Sequence, residues 1–323
     1  MPAQLGIGLA AVARPAYLTS GRDRDLGAAR SVEQLEQRTH ALLDAARAVG
    51  VRYVDAARSY GHAEQFLAHW LDRHPDAGVE VGSKWGYRYV GDWRLDAAVH
   101  EVKDHALSAF LEQREQTLAL LGDRLAVYHV HSATLETGVF DDAPLHAEMA
   151  RLRERGVRLG VSTSGPRQAD AVRRALEVEV DGVPLFTSVQ STWNVLESSA
   201  GPALAEAADA GAQVIVKEPV ANGRLAPGSQ DRTPGSQDGT PGEQRVHELA
   251  AELGVGTDVL AIAVALQQPW ARWVLSGAVT EEHLRSNASA AGLAVPAPVL
   301  EELARLAEPA QAYWSARSSR PWT

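Results

Sequence analysis

The sequence predicts an α/β fold of the (β/α)8 barrel type, on three observations. Eight short runs rich in β-branched and aromatic residues recur along the 323 residues, amphipathic stretches separate them, and no change of composition divides the chain into halves. An open doubly wound sheet ordinarily has fewer strands or such a break, so eight units in succession point to a closed barrel and to one barrel domain over 1–323.

The first run, 4–10, carries Gly6 and Gly8 followed by Ala11. This GxGxxA spacing matches a dinucleotide-binding fingerprint only on paper, because Pro15 and a polar run over 19–27 stand where the fingerprint needs a helix. The glycines are therefore read as a closely packed first strand. A helix is expected over 31–49, where apolar residues recur at three- and four-residue intervals until Gly50 stops the pattern. Strands follow at 51–54 and 79–83. A second helix, 103–121, ends at Gly122 and leads into a strand at 125–130. The last four strands are expected at 157–161, 186–190, 214–216 and 273–276. Within an expected insertion at 226–243, residues 227–242 form a seven-residue near-repeat of Gly, Pro, Ser and Asp. That composition reads as a solvated loop; a flap over the barrel mouth is the alternative.

The composition excludes several function classes. With 45% hydrophobic and 22% charged residues the chain is an ordinary globular sequence, and a formal charge of -10 argues against nucleic-acid and anionic-membrane partners. The absence of cysteine rules out disulfides, thiolate metal sites and a cysteine nucleophile. No basic leader and no run of about 18 apolar residues is present, so a cytoplasmic protein acting on small molecules is expected. His129 and His131 lie two apart on one strand, but no carboxylate pattern joins them, so no metal site is expected.

Polar residues concentrate at the C-terminal ends of strands, which is the catalytic face of a barrel. The second strand runs into Asp55, Arg58, Tyr60 and Gly61; the third ends at Lys84; the fourth carries His131. Four of these ionisable groups, Asp55, Tyr60, Lys84 and His131, are thereby expected to converge from three neighbouring strands. Taken singly, Tyr60 reads as an amphipathic core residue and Asp55 with Lys84 as an ion pair. Their joint occurrence at successive strand ends favours a site.

These residues resemble the aldo-keto reductase superfamily, nearest to its bacterial and channel-β-subunit-like branches. The likeness rests on Gly50, Arg52, Asp55, Ala57, Tyr60, Gly61 and Glu64, on Lys84, and on the stretch from Leu121 to His131. It continues through Gly160-Val161-Ser162, Gln190 with Asn194, and Ser276, Gly277 and Asn287. The resemblance implies NAD(P)H-dependent, reversible reduction of an aldehyde or ketone. In it Tyr60 moves the proton, Lys84 lowers the phenol's pKa, Asp55 holds the ammonium and His131 hydrogen-bonds the carbonyl oxygen.

It also implies cofactor contacts from Ser162, Thr163, Gln190, Lys217, Ser276, Gly277, His283, Arg285 and Asn287. Thr163 stands where the family usually has Asn, and Lys217 where many members stack an aromatic ring. The basic residue that clamps a 2′-phosphate has no clear counterpart, with Val279 or His283 at the candidate positions and Arg285 nearby. NADP(H) is favoured, with NAD(H) the alternative. Trp85, Tyr87 and Trp193, which follow strand ends, are expected to form an aromatic wall for an apolar or sugar-faced substrate. The competing functions are a slow, NADP(H)-sensing partner protein and a sugar or alcohol dehydrogenase working in the oxidative direction.

Overall fold

A computed structural model describes residues 2–18, 22–27, 29–227, 239–320 and 322. Eight parallel strands close into a barrel: β1 (Gln4–Gly8), β2 (Tyr53–Asp55), β3 (Glu80–Trp85), β4 (Leu125–Ala133), β5 (Arg158–Thr163), β6 (Ser188–Thr192), β7 (Gln213–Lys217) and β8 (Trp273–Ser276). They neighbour one another in chain order, and β8 pairs with β1 to close the ring. Each strand lies within two or three residues of its expected place.

The barrel interior is filled by alternating large and absent side chains. Tyr53, Val127, Ile215, Trp273 and Leu275 form its apolar centre, with the Tyr53 and Trp273 rings stacked 5.4 Å apart. Glycines make room for them. A Cβ at Gly82 would lie 2.1 Å from the Tyr53 hydroxyl, and one at Gly160 would lie 2.4 Å from the Ser188 carbonyl oxygen. Gly6 faces Tyr53 and Leu275 in the same way, so the first glycines are close-packed strand residues.

Helices surround the ring. The helix Val32–Ala48 begins at a capping box between Ser31 and Gln34 and buries Leu35, Thr39, Leu42, Leu43 and Ala46, the spacing read from the sequence. The helix Leu107–Leu121 starts four residues later than expected, because Glu101–Lys103 pairs with Tyr87–Tyr89 in an antiparallel hairpin. That excursion after β3 was not foreseen, and neither were the helices Ala297–Ala304 and Ala310–Ser318 near the C-terminal end.

The expected insertion at 226–243 is too long at its far end. Residues 228–238 lie outside the described residues, but Pro241 to Glu243 already form the first turn of the helix Pro241–Glu252. Thr240 and Glu243 make a capping box, and Pro241 sits where a missing N–H costs nothing. Among the described residues no single helix is long and apolar enough to cross a membrane.

Candidate active site

A cavity of about 230 Å³ opens at the C-terminal ends of the strands. Tyr60, Asp55, His131 and Gln190 line it, and the Lys84 ammonium is buried beside them. The turn after Tyr60 requires glycine: Gly61 has φ 59°, and a Cβ there would lie 2.9 Å from the Ala13 carbonyl oxygen. Arg58 and Glu64, from the same motif, have another task. Glu64 is buried and accepts from Arg58, Ser83 (2.5 Å) and Thr117 (2.9 Å), tying the loop to its neighbours.

Tyr60 Oη stands 3.5 Å from His131 Nε2, and Ser59 Oγ lies 3.4 Å from the other ring nitrogen. Lys84 Nζ donates to Asp55 Oδ2 and to the Ala56 carbonyl oxygen (2.9 Å); Gln190 Nε2 donates to Asp55 Oδ1 at 2.8 Å. The ammonium is 4.8 Å from the centre of the Tyr60 ring. Beyond Val130 the strand β4 is irregular, with Ser132 at φ 53°. His131 reaches the cavity there, while His129 lies deeper, 2.9 Å from Ser188 Oγ.

Burial dominates the protonation of the site. It pushes His131 well below 6.5, and the charges of Lys84 and Arg14 push it further. It pushes Tyr60 well above 10.0, with the Asp55 charge adding to the shift. The cation that chiefly opposes this is Arg14, whose guanidinium lies 5.0 Å from the ring centre. This differs from the expectation that Lys84 brings the phenol down toward neutrality: the lysine's charge is largely answered by Asp55, and Arg14 was not singled out in the sequence.

Of the proposed aromatic wall only Tyr87 lines the cavity, its ring 4.9 Å from that of His131. Trp85 is fully buried against Phe110, because strand residues alternate and Lys84 takes the inward direction. Trp193 packs on Trp270. Tyr17, from the segment after β1, and Trp322, near the C-terminal end, line the cavity instead.

The same alternation decides which of the expected cofactor positions reach the cavity. The Thr163 hydroxyl lies 2.6 Å from that of Ser191 and is buried, Ser162 accepts from the Ser132 amide, and Ser164 is the residue that lines the cavity. Lys217 lines it too; its Nζ donates to Thr192 Oγ1 at 2.8 Å, and burial lowers its pKa to about 8. Next to it, Glu218 has a bidentate bond from Arg317. Burial alone raises this carboxyl, but Arg317 and Lys217 outweigh that and hold it at about 2. Ser276 and Gly277 border the far end, with Asn287 bonded to the Ser276 hydroxyl behind them. Arg285 is turned outward onto Glu281, and His283 faces Asp25 at 3.9 Å.

The sequence profile of the aldo/keto reductase family matches residues 26–308. The chain belongs to the aldo/keto reductase family. No curated protein sequence matches it. Among solved structures it is similar to the aldo-keto reductase AKR11C1 from Bacillus halodurans in its holo form, with TM-score 0.69 and 18% identity over 95% of this chain and 92% of that one. It is also similar to the glycerol dehydrogenase AKR11B4 from Gluconobacter oxydans, with TM-score 0.68 and 19% identity over 94% and 90%. At such identities the likeness speaks for the shared barrel. Family membership makes the protein an oxidoreductase of carbonyl compounds that uses a nicotinamide cofactor.

The residues present fit such a cofactor. The cavity runs from Tyr60 past Gln190 and Lys217 to Gly277, where a Cβ would meet nothing within 4 Å. Along it, Asn222 Oδ1 is buried without a hydrogen-bond partner among the described residues.

Proposed function

We propose that this aldo/keto reductase reduces a small aldehyde or ketone, with Tyr60 as the proton donor. The observation that carries the reading is the 3.5 Å pairing of Tyr60 Oη with His131 Nε2 at the cavity wall, backed by the buried Lys84–Asp55 pair. A carbonyl oxygen between these two atoms accepts a hydrogen bond from each. Burial and the neighbouring cations favour a neutral His131, and the tautomer that offers a proton to the substrate is the one in which Nδ1 accepts from Ser59 and Nε2 carries the hydrogen. The nicotinamide, when bound, supplies the hydride. As charge grows on the oxygen, His131 stabilises it and Tyr60 gives up its proton, because an alkoxide is a far stronger base than even a buried phenolate. Arg14 and Lys84, 5.0 and 4.8 Å from the ring centre, stabilise the phenolate that remains. In the oxidative direction the same phenolate is the base.

For the cofactor, Gln190, Ser164, Lys217, Asn222 and Gly277 are the residues we assign to hold it. At the positions considered for a 2′-phosphate, Val279 is buried and apolar, Arg285 points outward and pairs with Glu281, and His283 faces a carboxylate. This favours NAD(H) at least as much as NADP(H), against the preference expected from the sequence. The test is turnover of a panel of aldehydes with NADH and NADPH. Oxidation of either supports the reading; tight binding of both without oxidation by any carbonyl would replace it with a cofactor sensor.

A further inference from the structure

Arg14 is a buried arginine with spare donors. Its side chain is 2% exposed, and its guanidinium lies among three rings, 4.7 Å from the centre of Tyr17, 5.0 Å from Tyr60 and 5.0 Å from Trp322. Nε donates to the Ala10 carbonyl (3.2 Å), and Nη1 donates to the Ser59 carbonyl (3.2 Å) and to Glu101 Oε2 (2.9 Å). Among the described residues Nη2 has no acceptor, although the residue lines the cavity. A donor left open at a cavity wall is satisfied by water or by a ligand that displaces it.

Its partner has the complementary vacancy. Glu101 comes from the hairpin after β3, also lines the cavity, and among the described residues uses only Oε2, on Arg14. The pair therefore brings to the cavity wall an open donor on one partner and an open acceptor on the other, with no net charge between them. A carboxylate ligand would be drawn by Arg14 and repelled by Glu101. A hydroxyl, which both donates and accepts, satisfies the two together. The flanking rings offer apolar faces to carbon-bound hydrogens, and Trp322 is backed by His100, stacked 4.5 Å away. Elsewhere on the cavity wall a second acid is also neutralised, Glu218 by Arg317.

We propose that the Arg14–Glu101 pair is a recognition site for hydroxyl groups, and that the substrate is a short polyhydroxylated aldehyde or ketone. The proposal deepens the carbonyl-reduction reading and rests on it for the carbonyl alone.

The experiment compares kcat/KM for three four-carbon aldehydes, D-erythrose, butanal and succinic semialdehyde, with the full-length protein and its Glu101→Leu variant. The expected result is a preference for D-erythrose of about 100-fold over each of the others, because a site built to bond hydroxyls is left unpaired by analogues that lack them. In Glu101→Leu the ratio to butanal falls at least about tenfold. A ratio below about threefold in the wild type, or a preference for succinic semialdehyde, overturns the proposal; the latter would mark Arg14 as an anion site. Calorimetry with erythritol, which has no carbonyl, separates the two readings. Erythritol binding that is lost in Glu101→Leu and in Arg14→Gln supports the hydroxyl site even where no aldehyde turns over, in which case carbonyl reduction is what fails. Absence of erythritol binding together with absence of turnover overturns both.

Discussion

Lys84 Nζ lies 4.8 Å from the centre of the Tyr60 ring, yet its hydrogen bonds go to Asp55 and the Ala56 carbonyl and not to the phenol. The lysine is therefore not bonded to the phenol, and the hydroxyl stays available to a substrate. Replacing Tyr60 by Phe keeps the ring and its packing while removing the donor. The turnover number for aldehyde reduction should fall about 1,000-fold, within the usual range for a lost general acid. Dissociation constants for NADH and NADPH, read from tryptophan fluorescence, should stay within about twofold, since only the proton path is lost. A variant that keeps a tenth of the wild-type rate would remove Tyr60 from the chemistry.

The pH profile follows from two opposite shifts with one main cause. Burial holds the His131 imidazole neutral far below pH 6.5 and the Tyr60 phenol protonated far above pH 10.0. Lowering the pH through 6.5 therefore does not charge His131, and raising it toward 10 does not strip the donor from Tyr60. With saturating cofactor, the reductive kcat should carry no limb from either group between pH 6 and 9. An acid limb centred near 6.5 that disappears in His131→Gln would show an imidazole titrating normally and contradict the geometry.

Lys217 is a cavity group that burial brings into the working range. Burial brings it from 10.5 to about 8, so the cavity loses one positive charge as the pH rises through that value. An anionic ligand such as a dinucleotide should bind more weakly above pH 8 than below it, by roughly tenfold for one charge at close range in a partly shielded site. Titrations of NADH at pH 6.5 and 9.5 would show this, and Lys217→Met should flatten the dependence. An unchanged slope in that variant would assign the titration to another group.

What the sequence revealed and what it hid divide along physical lines. Asp55, Tyr60, Lys84 and His131 were legible because each lies near or just beyond the C-terminal end of a strand in a regular βα series, so position in the chain implied position in space. Period-two alternation also held information that went unused: with Lys84 directed inward, Trp85 has to face the surrounding helices, as it does against Phe110. Thr163 fails as a cavity residue in the same way. Arg14, Glu101, Glu218, Arg317 and Trp322 were hidden for a different reason. They arrive from a loop, a hairpin and the C-terminal segment, and their pairings span 87 residues for Arg14–Glu101 and 99 for Arg317–Glu218. No local periodicity encodes contacts at such separations.

Cofactor choice is testable at the helix Glu281–Ser289. Arg285 is largely exposed, with 64% of its side-chain surface accessible, and it pairs with Glu281 on its own helix. Arg285→Ala should therefore leave the ratio of NADPH to NADH affinity within about twofold, the modest effect expected of an exposed pair. His283 faces the Asp25 carboxylate, so a cation introduced beside it changes the local charge directly. His283→Arg should tighten NADPH about tenfold relative to NADH, as a charge-assisted contact would. A large loss of NADPH affinity in Arg285→Ala would restore that residue as the 2′-phosphate clamp.

Two glycines separate packing from binding. At Gly160 a Cβ would lie 2.4 Å from the Ser188 carbonyl oxygen and 2.6 Å from His129 Cδ2, inside a barrel centre already filled by neighbouring strands. Neither atom has room to retreat, so Gly160→Ala should cost about 3 kcal/mol and lower Tm by several degrees. At Gly277 a Cβ would meet nothing within 4 Å, and its φ needs no glycine. Gly277→Ala should leave Tm unchanged within about one degree. The same methyl would project into the end of the cavity assigned to the cofactor, so NADH and NADPH should both bind at least about fivefold more weakly. Thermal melts and fluorescence titrations on the two variants read these effects independently. If Gly277→Ala binds both cofactors as tightly as the wild type, the cofactor does not pass over Gly277 and the assignment of that end of the cavity is wrong.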